Sequence, residues 1–295
     1  MKTITTLSIM LAAACGLKAQ QHTETVKKEL KFEKPSASNV LYIANINGDI
    51  EVEGYDGATI QIEAYKKIVA KSESRLEEGK KAVQISVIDL MDTLIVYGSQ
   101  PCCPFTQAFD RSKERGGWNY HWSRQSDGCR ENFKYKIDYK VKVPRNTSLM
   151  VSTINDGNIN VSNVAGEVKA WNVNGSITLN KVADATYANT INGDVTLNFT
   201  NNPKKDGRYY SLNGDINANY LSGLSADMSF KSFNGEFYTN VQSLEQMPNQ
   251  LKMEKASKGK GIAYKLDGKT MMRVRNGGIY LDFETFNGDV YVKEN

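Results

Sequence analysis

The stretch Ile191-Asn192-Gly193-Asp194-Val195 decides the fold, because phrases of the same pattern return along the whole chain. Each phrase has an apolar residue, Asn, Gly, a small or acidic residue and a second apolar residue. A repeat at a fixed period usually defines the architecture of a protein. The other copies lie at 46–50, 173–177, 212–216, 233–237 and 286–290, with a looser copy at 154–159 and Asn-Gly-Gly at 276–278.

The spacing of the glycines is nearly constant from residue 157 onward. Successive intervals are 18, 18, 21 and 21 residues for positions 157, 175, 193, 214 and 235. A further 42 residues, equal to two steps of 21, lead to Gly277, and the last step to Gly288 is 11. Apolar and polar residues alternate after each glycine, as at Val195 and Leu197, which is typical of a strand with one buried face.

We therefore predict an all-β fold in which residues 148–295 form a parallel β-solenoid. Each period would be one coil, and successive coils would lie about 4.8 Å apart. Glycine would supply the positive φ of each corner, and stacked asparagine side chains would hydrogen-bond from coil to coil. A series of antiparallel hairpins with Asn-Gly turns is the alternative, but it would place a turn every ten or so residues. The glycines assigned to structural turns are Gly48, Gly175, Gly193, Gly214, Gly235 and Gly288.

We expect residues 1–19 to be a cleaved signal peptide, because Lys2 precedes a short apolar stretch at 4–14. That stretch is too short to cross a bilayer. The sequence Ala13-Ala14-Cys15-Gly16 also resembles a bacterial lipoprotein box, so lipidation of Cys15 is the alternative. Both interpretations predict export, to the periplasm, the outer-membrane surface or the extracellular space.

The charge and the motifs of the chain exclude several functional classes. Loss of Lys2 and Lys18 would reduce the formal net charge from +4 to +2, which offers no argument for nucleic-acid binding. No phosphate-cradling loop, dinucleotide fingerprint or Gly-x-Ser-x-Gly elbow is present, so we predict no cofactor, no bound metal and no catalytic residues. The turn aspartates are assigned to backbone hydrogen bonds, because Ser176 and Glu236 occupy the same position of the phrase.

Residues 20–147 are predicted to form an N-terminal β segment with two additions. The first is a capping helix at about 72–81, where Ser72 or Ser74 precedes early glutamates and late lysines. The second is an insertion at about 99–130 that contains Cys102, Cys103 and Cys129. In an oxidising compartment we expect Cys129 to form a disulfide with one of the two adjacent cysteines and to leave one free thiol.

Four residues of the insertion are candidate binding residues: Trp118, Tyr120, His121 and Trp122. Their rings could line a contact with a carbohydrate or a peptide. The alternative is that they pack as the small core of a disulfide-pinned loop, which an extracellular loop of this size needs. The cysteines and His121 are also ligands that zinc prefers, but their spacing is not that of a known zinc finger.

The Asn-Gly-Asp phrases, the approach at 139–144 and the closing segment 285–292 resemble a bacterial putative-adhesin family of unknown function, related to the head domains of autotransporter-type adhesins. The resemblance covers roughly residues 40–292. It implies an exported, right-handed β-solenoid at the surface or in the periplasm, with no known catalysis and no catalytic residues. The insertion at 99–130 departs from the family pattern.

We accordingly expect a noncatalytic, adhesin-like envelope or cell-surface protein that presents a stacked β surface to an unidentified protein or glycan. Membrane association is expected only through a lipid on Cys15. One alternative is a β-helix protein that binds or degrades polysaccharide, and another is an envelope-stress or regulatory component that binds a protein partner. Acidic pairs in a groove would favour the enzyme, whereas a flat exterior lined by Thr and Asn would favour the scaffold.

Overall fold

Two large β-sheets contain most of the regular structure. The computed structural model describes residues 19–110, 115–120, 131–258 and 261–295, without the side chains of 108–110, 115–118, 249–258 and 261–267. Within these ranges there is one helix, α1 (Glu73–Ala82). The strands are β1 (Gln20–Leu30), β2 (Val40–Ala44), β3 (Ile50–Tyr55), β4 (Ile60–Ala70), β5 (Gln84–Asp89), β6 (Thr93–Ser99), β7 (Phe105–Asp110), β8 (Arg115–Tyr120), β9 (Phe133–Pro144), β10 (Ser148–Ser152), β11 (Ile159–Ser162), β12 (Glu167–Trp171), β13 (Ile177–Val182), β14 (Asp184–Asn192), β15 (Val195–Phe199), β16 (Gly207–Asn213), β17 (Ile216–Tyr220), β18 (Ala226–Lys231), β19 (Phe237–Thr239), β20 (Leu244–Lys258), β21 (Gly261–Val274), β22 (Ile279–Asn287) and β23 (Val290–Glu294).

Both large sheets are mixed. Sheet A has the order β1-β4-β9-β3-β11-β13-β15-β17-β23-β19, and sheet B has the order β20-β21-β18-β22-β16-β14-β12-β10-β2-β6-β5. The central strands pair in parallel, from β9 to β19 in sheet A and from β6 to β18 in sheet B. Antiparallel strands extend one end of sheet A and both ends of sheet B. The all-β class is confirmed, but the prediction of a simple parallel solenoid is wrong.

Each copy of the repeated phrase, apart from Asn-Gly-Gly at 276–278, is a corner between the two sheets. β12 leaves sheet B at Trp171, the chain turns through Asn174 and Gly175, and β13 enters sheet A at Ile177. The residues that follow each glycine then alternate between the core and the outside, because successive side chains of a strand point to opposite faces. The predicted inward residues are at most 1% exposed: Ile159, Val161, Ile177, Leu179, Val195, Leu197, Ile216 and Ala218.

The corners do not stack in the order of the sequence. β22 and β23, the last two strands of the chain, lie between β16/β17 and β18/β19, so the corner at Asn287 separates the corners at Asn213 and Asn234. The prediction that each coil stacks on the preceding one is wrong here. Gly277 is not a corner of the stack, because its amide closes a local turn on the Val274 carbonyl at 3.1 Å.

Residues 20–147 and 148–295 contribute to the same two sheets. β2 and β3 pair in parallel with β10 and β11, and β6 and β9 add a further layer outside them. The predicted helix is present as α1, which buries Leu76 and packs beside β4, β1 and β9. Ser72 is its N-cap residue, but the Ser72 side chain makes no capping hydrogen bond.

Close backbone approach is the main requirement for glycine at the corners. A Cβ built on Gly214 would lie 2.2 Å from the Gly193 carbonyl oxygen, and one on Gly235 would lie 1.9 Å from that of Gly288. Neither Gly214 nor Gly235 has a φ in the left-handed region, so the predicted need for positive φ is wrong at these two positions. Gly193 combines both constraints, with φ +152° and a Cβ position 2.5 Å from the Gly175 carbonyl group.

We expect Gly214→Ala to lower the free energy of unfolding by about 3 kcal/mol, because the added methyl group would overlap a backbone carbonyl that cannot move alone. Gly223→Ala is the matched control, because Gly223 has φ +90° but nothing within 4 Å of its Cβ position. The control should cost about 1 kcal/mol. Urea denaturation measures both values. A loss in Gly214→Ala no greater than that in Gly223→Ala would contradict the requirement for close backbone approach at residue 214.

Candidate functional site

The outer edge of the corner is a ladder of asparagine side chains. The Nδ2 group of each asparagine after the first donates to the Oδ1 atom of the preceding member of the ladder at 2.8–3.3 Å. The predicted coil-to-coil hydrogen bonding is therefore present, and it follows the spatial order of the coils. Along the stack the ladder runs Asn47, Asn155, Asn174, Asn192, Asn213, Asn287, Asn234.

The residues after the glycines form a second ladder. The Asp194 carboxylate accepts a hydrogen bond from the Asp215 backbone amide at 2.9 Å, and the Asp215 carboxylate accepts one from the Asp289 amide at 2.8 Å. The Ser176 hydroxyl does the same for the Asp194 amide at 3.1 Å. These side chains bind the backbone of the next coil rather than their own. Asp, Asn and Ser fit this position because each carries a short side-chain acceptor.

A third ladder lies inside the corner, and the sequence reasoning missed it. Thr190 and Ser211 are fully buried, and their hydroxyls donate to the carbonyls of Gly175 and Gly193, both at 2.8 Å. Asn172 donates to the Gly157 carbonyl at 2.9 Å. The available signal was a Ser, Thr or Asn three residues before the glycine. It occurs at Asn45, Asn172, Thr190, Ser211, Ser232 and Thr285.

We expect Thr190→Val to lower the free energy of unfolding by about 1–3 kcal/mol, because the partly buried Gly175 carbonyl loses the hydrogen bond from Thr190 while the side-chain shape is kept. Thr178→Val, at a partly exposed position on the outside of β13, is the control. Thr178→Val should change the free energy of unfolding by less than about 0.5 kcal/mol. Chemical denaturation of both variants tests this. A loss at Thr190 no greater than at Thr178 would contradict the structural role of the inner hydroxyls.

The outside of sheet A carries two in-register rows of uncharged polar side chains, which we call the polar face. The parallel register aligns the members of each row across β11, β13, β15 and β17. Asn219 also donates to Asn198 at 2.8 Å across neighbouring strands. The polar face comprises Asn160, Thr178, Thr196 and Asn217 in one row, and Ser162, Asn180, Asn198 and Asn219 in the other.

A charged groove of about 760 Å³ adjoins the β3 side of the polar face. Its lining alternates lysines and glutamates from β1, β4, β9 and β3. Lys27 lies 2.6 Å from Glu63, and this hydrogen bond holds the pKa of the Glu63 carboxyl below its usual value. A general acid needs a pKa raised toward neutrality, so the shift at Glu63 is in the opposite direction. Lys27–Glu63 is thus a surface ion pair, and Lys140 lies 3.9 Å from Glu51 in the same groove.

Exposed aromatic rings lie at the β19 end of the stack, with Phe233 and Phe286 at the corner between the sheets and Tyr238 and Tyr291 on sheet A. Phe233 and Phe286 stack with ring centroids 4.8 Å apart, although Phe233 is 74% exposed. Tyr238 and Tyr291 stack with centroids 5.0 Å apart on β19 and β23. The two tyrosines continue the row of Asn217, because β23 pairs in register with β17 and with β19.

The outside of sheet B carries an aromatic row that we define as Trp171, Tyr187 and Tyr210. All three rings are partly exposed, and those of Trp171 and Tyr187 lie 5.2 Å apart. Asn189 lies in register between Trp171 and Tyr210 and donates to the Tyr187 hydroxyl at 3.1 Å. The sequence reasoning missed this row. Strand alternation was the available signal, because Ala170 and Ala188 point inward and their neighbours point outward.

The candidate binding residues of the insertion are placed only in part. β7 and β8 pair with each other and pack on the outside of sheet B, where the Phe105 ring stacks on Tyr97 at 4.5 Å. The Tyr120 ring meets Phe105 edge-on at 4.9 Å, and its hydroxyl donates to the Gly98 carbonyl at 2.8 Å. His121, Trp122 and the Trp118 side chain lie outside the described parts of the structure. Tyr120 therefore packs against the sheet, and the binding role of the group stays a prediction.

Cys103 is a buried free thiol. Burial, with a smaller contribution from the negative charge of Glu131, raises the pKa of this thiol to about 11. Cys103 is therefore not the predicted disulfide partner of Cys129. Cys129 lies outside the described residues, so a disulfide between Cys102 and Cys129 stays a prediction. Among the described residues, no group of three or more His, Cys, Asp or Glu side chains could hold a metal ion.

Glu167 connects three coils on the outside of sheet B. Its carboxylate accepts a hydrogen bond from Thr186 at 2.6 Å and lies 2.9 Å from the ammonium groups of both Lys169 and Lys205. Partial burial opposes ionisation of Glu167. The hydrogen bonds from Thr186, Lys169 and Lys205 outweigh this effect and lower the pKa of the carboxyl from 4.5 to about 2.

We expect this carboxylate to stabilise the fold above pH 4.5, and we expect the contribution to disappear as the pH falls toward 2, because the folded-state pKa lies below the unfolded value. Glu167→Gln should therefore lower stability at pH 7 and flatten the dependence of stability on pH between 5 and 2. Urea unfolding at several pH values measures the slope. Glu51 is an exposed glutamate 3.9 Å from Lys140. Glu51→Gln should change neither the stability at pH 7 nor its dependence on pH. An unchanged slope in Glu167→Gln would contradict the role assigned to Glu167.

The comparisons with known proteins match whole chains but at low similarity. A structure from Clostridium sporogenes ATCC 15579, described as a putative cell adhesion protein, is 11% identical, with a TM-score of 0.40 over 93% of this chain and 100% of that chain. Two structures from Parabacteroides distasonis ATCC 8503 are described as a putative lipid binding protein and a putative adhesin. The first is 11% identical, with a TM-score of 0.26 over 92% and 96% of the two chains. The second is 10% identical, with a TM-score of 0.20 over 94% and 97%.

TM-scores below 0.5 carry no argument about fold or function. No protein-family model matches the sequence, and no curated protein is significantly similar to it. In the described ranges of the chain, no helix is long and apolar enough to cross a membrane.

Proposed function

We propose that this protein is a noncatalytic, exported envelope or cell-surface protein, adhesin-like, which binds a protein or a glycan through the polar face. The observation that carries the proposal is the two in-register rows of Thr, Asn and Ser on β11, β13, β15 and β17. Regularly spaced hydrogen-bond donors and acceptors at intervals of about 4.8 Å suit a ligand that is itself extended or repetitive. The resemblance of the repeated phrases to the putative-adhesin family supports the same assignment.

The chemistry of the polar face supports binding without a chemical step. The rows carry amides and hydroxyls and no titratable group, so they can donate and accept hydrogen bonds but are not suited to general acid–base catalysis. Affinity would come from many weak contacts made at once. Export by the signal peptide, or anchoring through a lipid on Cys15, would place this face at the cell envelope.

We expect the double variant Thr196→Lys/Asn217→Lys to lose binding, because two neighbouring positions at the centre of the polar face would become bulky and charged. The measurement is binding of the exported full chain and its variants to an array of glycans and matrix proteins. Lys140→Ala/Lys142→Ala, in the charged groove, is the matched control and should bind as the unmodified protein does. Selective binding that survives the double variant would overturn the assignment to the polar face.

The aromatic row on sheet B favours a second candidate function, polysaccharide binding. Sugar rings present apolar faces that pack on aromatic rings, and Asn189, Arg208 and Glu284 are close enough in register to hydrogen-bond hydroxyls. Trp171→Ala separates the candidates on the same array. Loss of glycan binding in Trp171→Ala, with the polar-face variant unaffected, would move the site to sheet B.

A further inference from the structure

The asparagine ladder has an open end at Asn234. An asparagine inside the ladder, such as Asn213, both donates to one neighbour and accepts from the other. Asn234 is the last member and only donates, from Nδ2 to the Asn287 Oδ1 atom at 2.8 Å. The Asn234 side chain is exposed, and β19 beside it is the terminal strand of sheet A.

The glycine amides show the same difference. Inside the stack, the backbone N–H of each corner glycine that directly follows an asparagine donates to the carbonyl of the asparagine in the next coil, at 2.8–3.3 Å. These pairs are Gly48 with Asn155, Gly175 with Asn192, Gly193 with Asn213, Gly214 with Asn287 and Gly288 with Asn234. No coil follows Gly235, and within the described residues its amide makes no hydrogen bond. Gly235 thus holds a corner position of the stack with a free amide nitrogen.

We propose that Asn234 is a site of spontaneous deamidation and that the ladder protects the other corner Asn-Gly pairs. In this reaction the Gly235 backbone nitrogen attacks the Asn234 side-chain carbon. A new C–N bond closes a five-membered succinimide, the bond from that carbon to Nδ2 breaks, and ammonia leaves with the proton from the Gly235 amide. Water then opens either succinimide carbonyl and yields aspartate or isoaspartate. No oxidant or reductant is needed.

The attack requires the glycine nitrogen to be free and the asparagine side chain to rotate. At Asn192 or Asn213, the side chain and the following glycine amide are hydrogen-bonded to the coils on both sides. These hydrogen bonds must break before the glycine nitrogen can attack. Such local opening is rare inside a packed stack and common at an exposed end. We therefore expect deamidation at Asn234 to be at least about tenfold faster than at any asparagine inside the ladder.

Asn276 separates amide protection from simple exposure. Asn276 precedes Gly277, and it is exposed to solvent, as Asn234 is. Unlike Asn234, it lies outside the ladder. The Gly277 amide is bonded to the Val274 carbonyl at 3.1 Å, and Gly277 is buried. If exposure alone governed the reaction, Asn276 and Asn234 would react alike. If the amide bond protects, Asn276 should react more slowly than Asn234.

Deamidation would loosen the last coil. A carboxylate at position 234 has no proton to donate to Asn287 Oδ1, so the final side-chain bond of the ladder would be lost. It would also place a negative charge beside Glu236, whose amide already binds the Asp289 carboxylate. Both effects act on β19 and on the stacked rings of Phe233 and Phe286.

The test is incubation of the intact folded protein at mildly alkaline pH, followed by digestion and mass spectrometry of each Asn-Gly peptide. The same protein in urea is the reference for intrinsic reactivity, because unfolding removes every protecting bond. We expect acid products to accumulate at Asn234 first in the folded protein and at all Asn-Gly sites at comparable rates in urea. Asn234→Gln should leave that peptide unmodified and the other peptides unchanged.

Two results would overturn the proposal. One is a folded-state rate at Asn234 no greater than the rates at Asn192 and Asn213. The other is an equal rate at Asn276 and Asn234, which would assign the reactivity to exposure. The Asn234→Asp variant tests the consequence, since it should expose the β19 backbone amides to faster hydrogen exchange while those of β13 are unaffected.

Discussion

Close approach of one backbone to the next at the glycine corners is the constraint on which the rest of the structure depends. A Cβ on Gly157 would lie 1.9 Å from the Gly48 carbonyl oxygen, and one on Gly288 would lie 2.1 Å from that of Gly214. This close approach brings the asparagine side chains of neighbouring coils within hydrogen-bonding distance of each other on the outside of the corner. On the inside, it brings the hydroxyls of Thr190 and Ser211 within hydrogen-bonding distance of the glycine carbonyls of the neighbouring coil. The corner thus satisfies polar groups that would be costly to leave unpaired near the core.

The same stacking determines what the protein offers to its surroundings. Parallel pairing without slippage aligns Thr178, Thr196 and Asn217 into a row, so a short recurring phrase becomes an extended surface. On sheet B the outward positions carry aromatic and charged side chains instead, and the β7–β8 pair covers part of that face. The two faces therefore differ chemically although they share one core.

The two ends of the stack are not equivalent. At one end, β9, β4 and β1 extend sheet A past the first asparagine corner, and α1 packs beside them. At the other end, sheet A stops at the three residues of β19, while sheet B continues into β21 and β20. Exposed rings and an unbonded glycine amide are found together at this open end, because within the described parts of the chain no further coil covers them.

The sequence by itself determined the all-β class, the positions of the corners, the helix near residues 73–82 and the inward residues of β11, β13, β15 and β17. These follow from local periodicity, which a strand carries wherever it pairs. Only the tertiary structure decided that β22 and β23 enter between earlier coils, that antiparallel strands extend the stack, and that residues such as Thr190 turn their hydroxyls inward. Corners with the same phrase can stack on one another interchangeably, so long-range packing and chain connectivity, rather than the phrase, select the order.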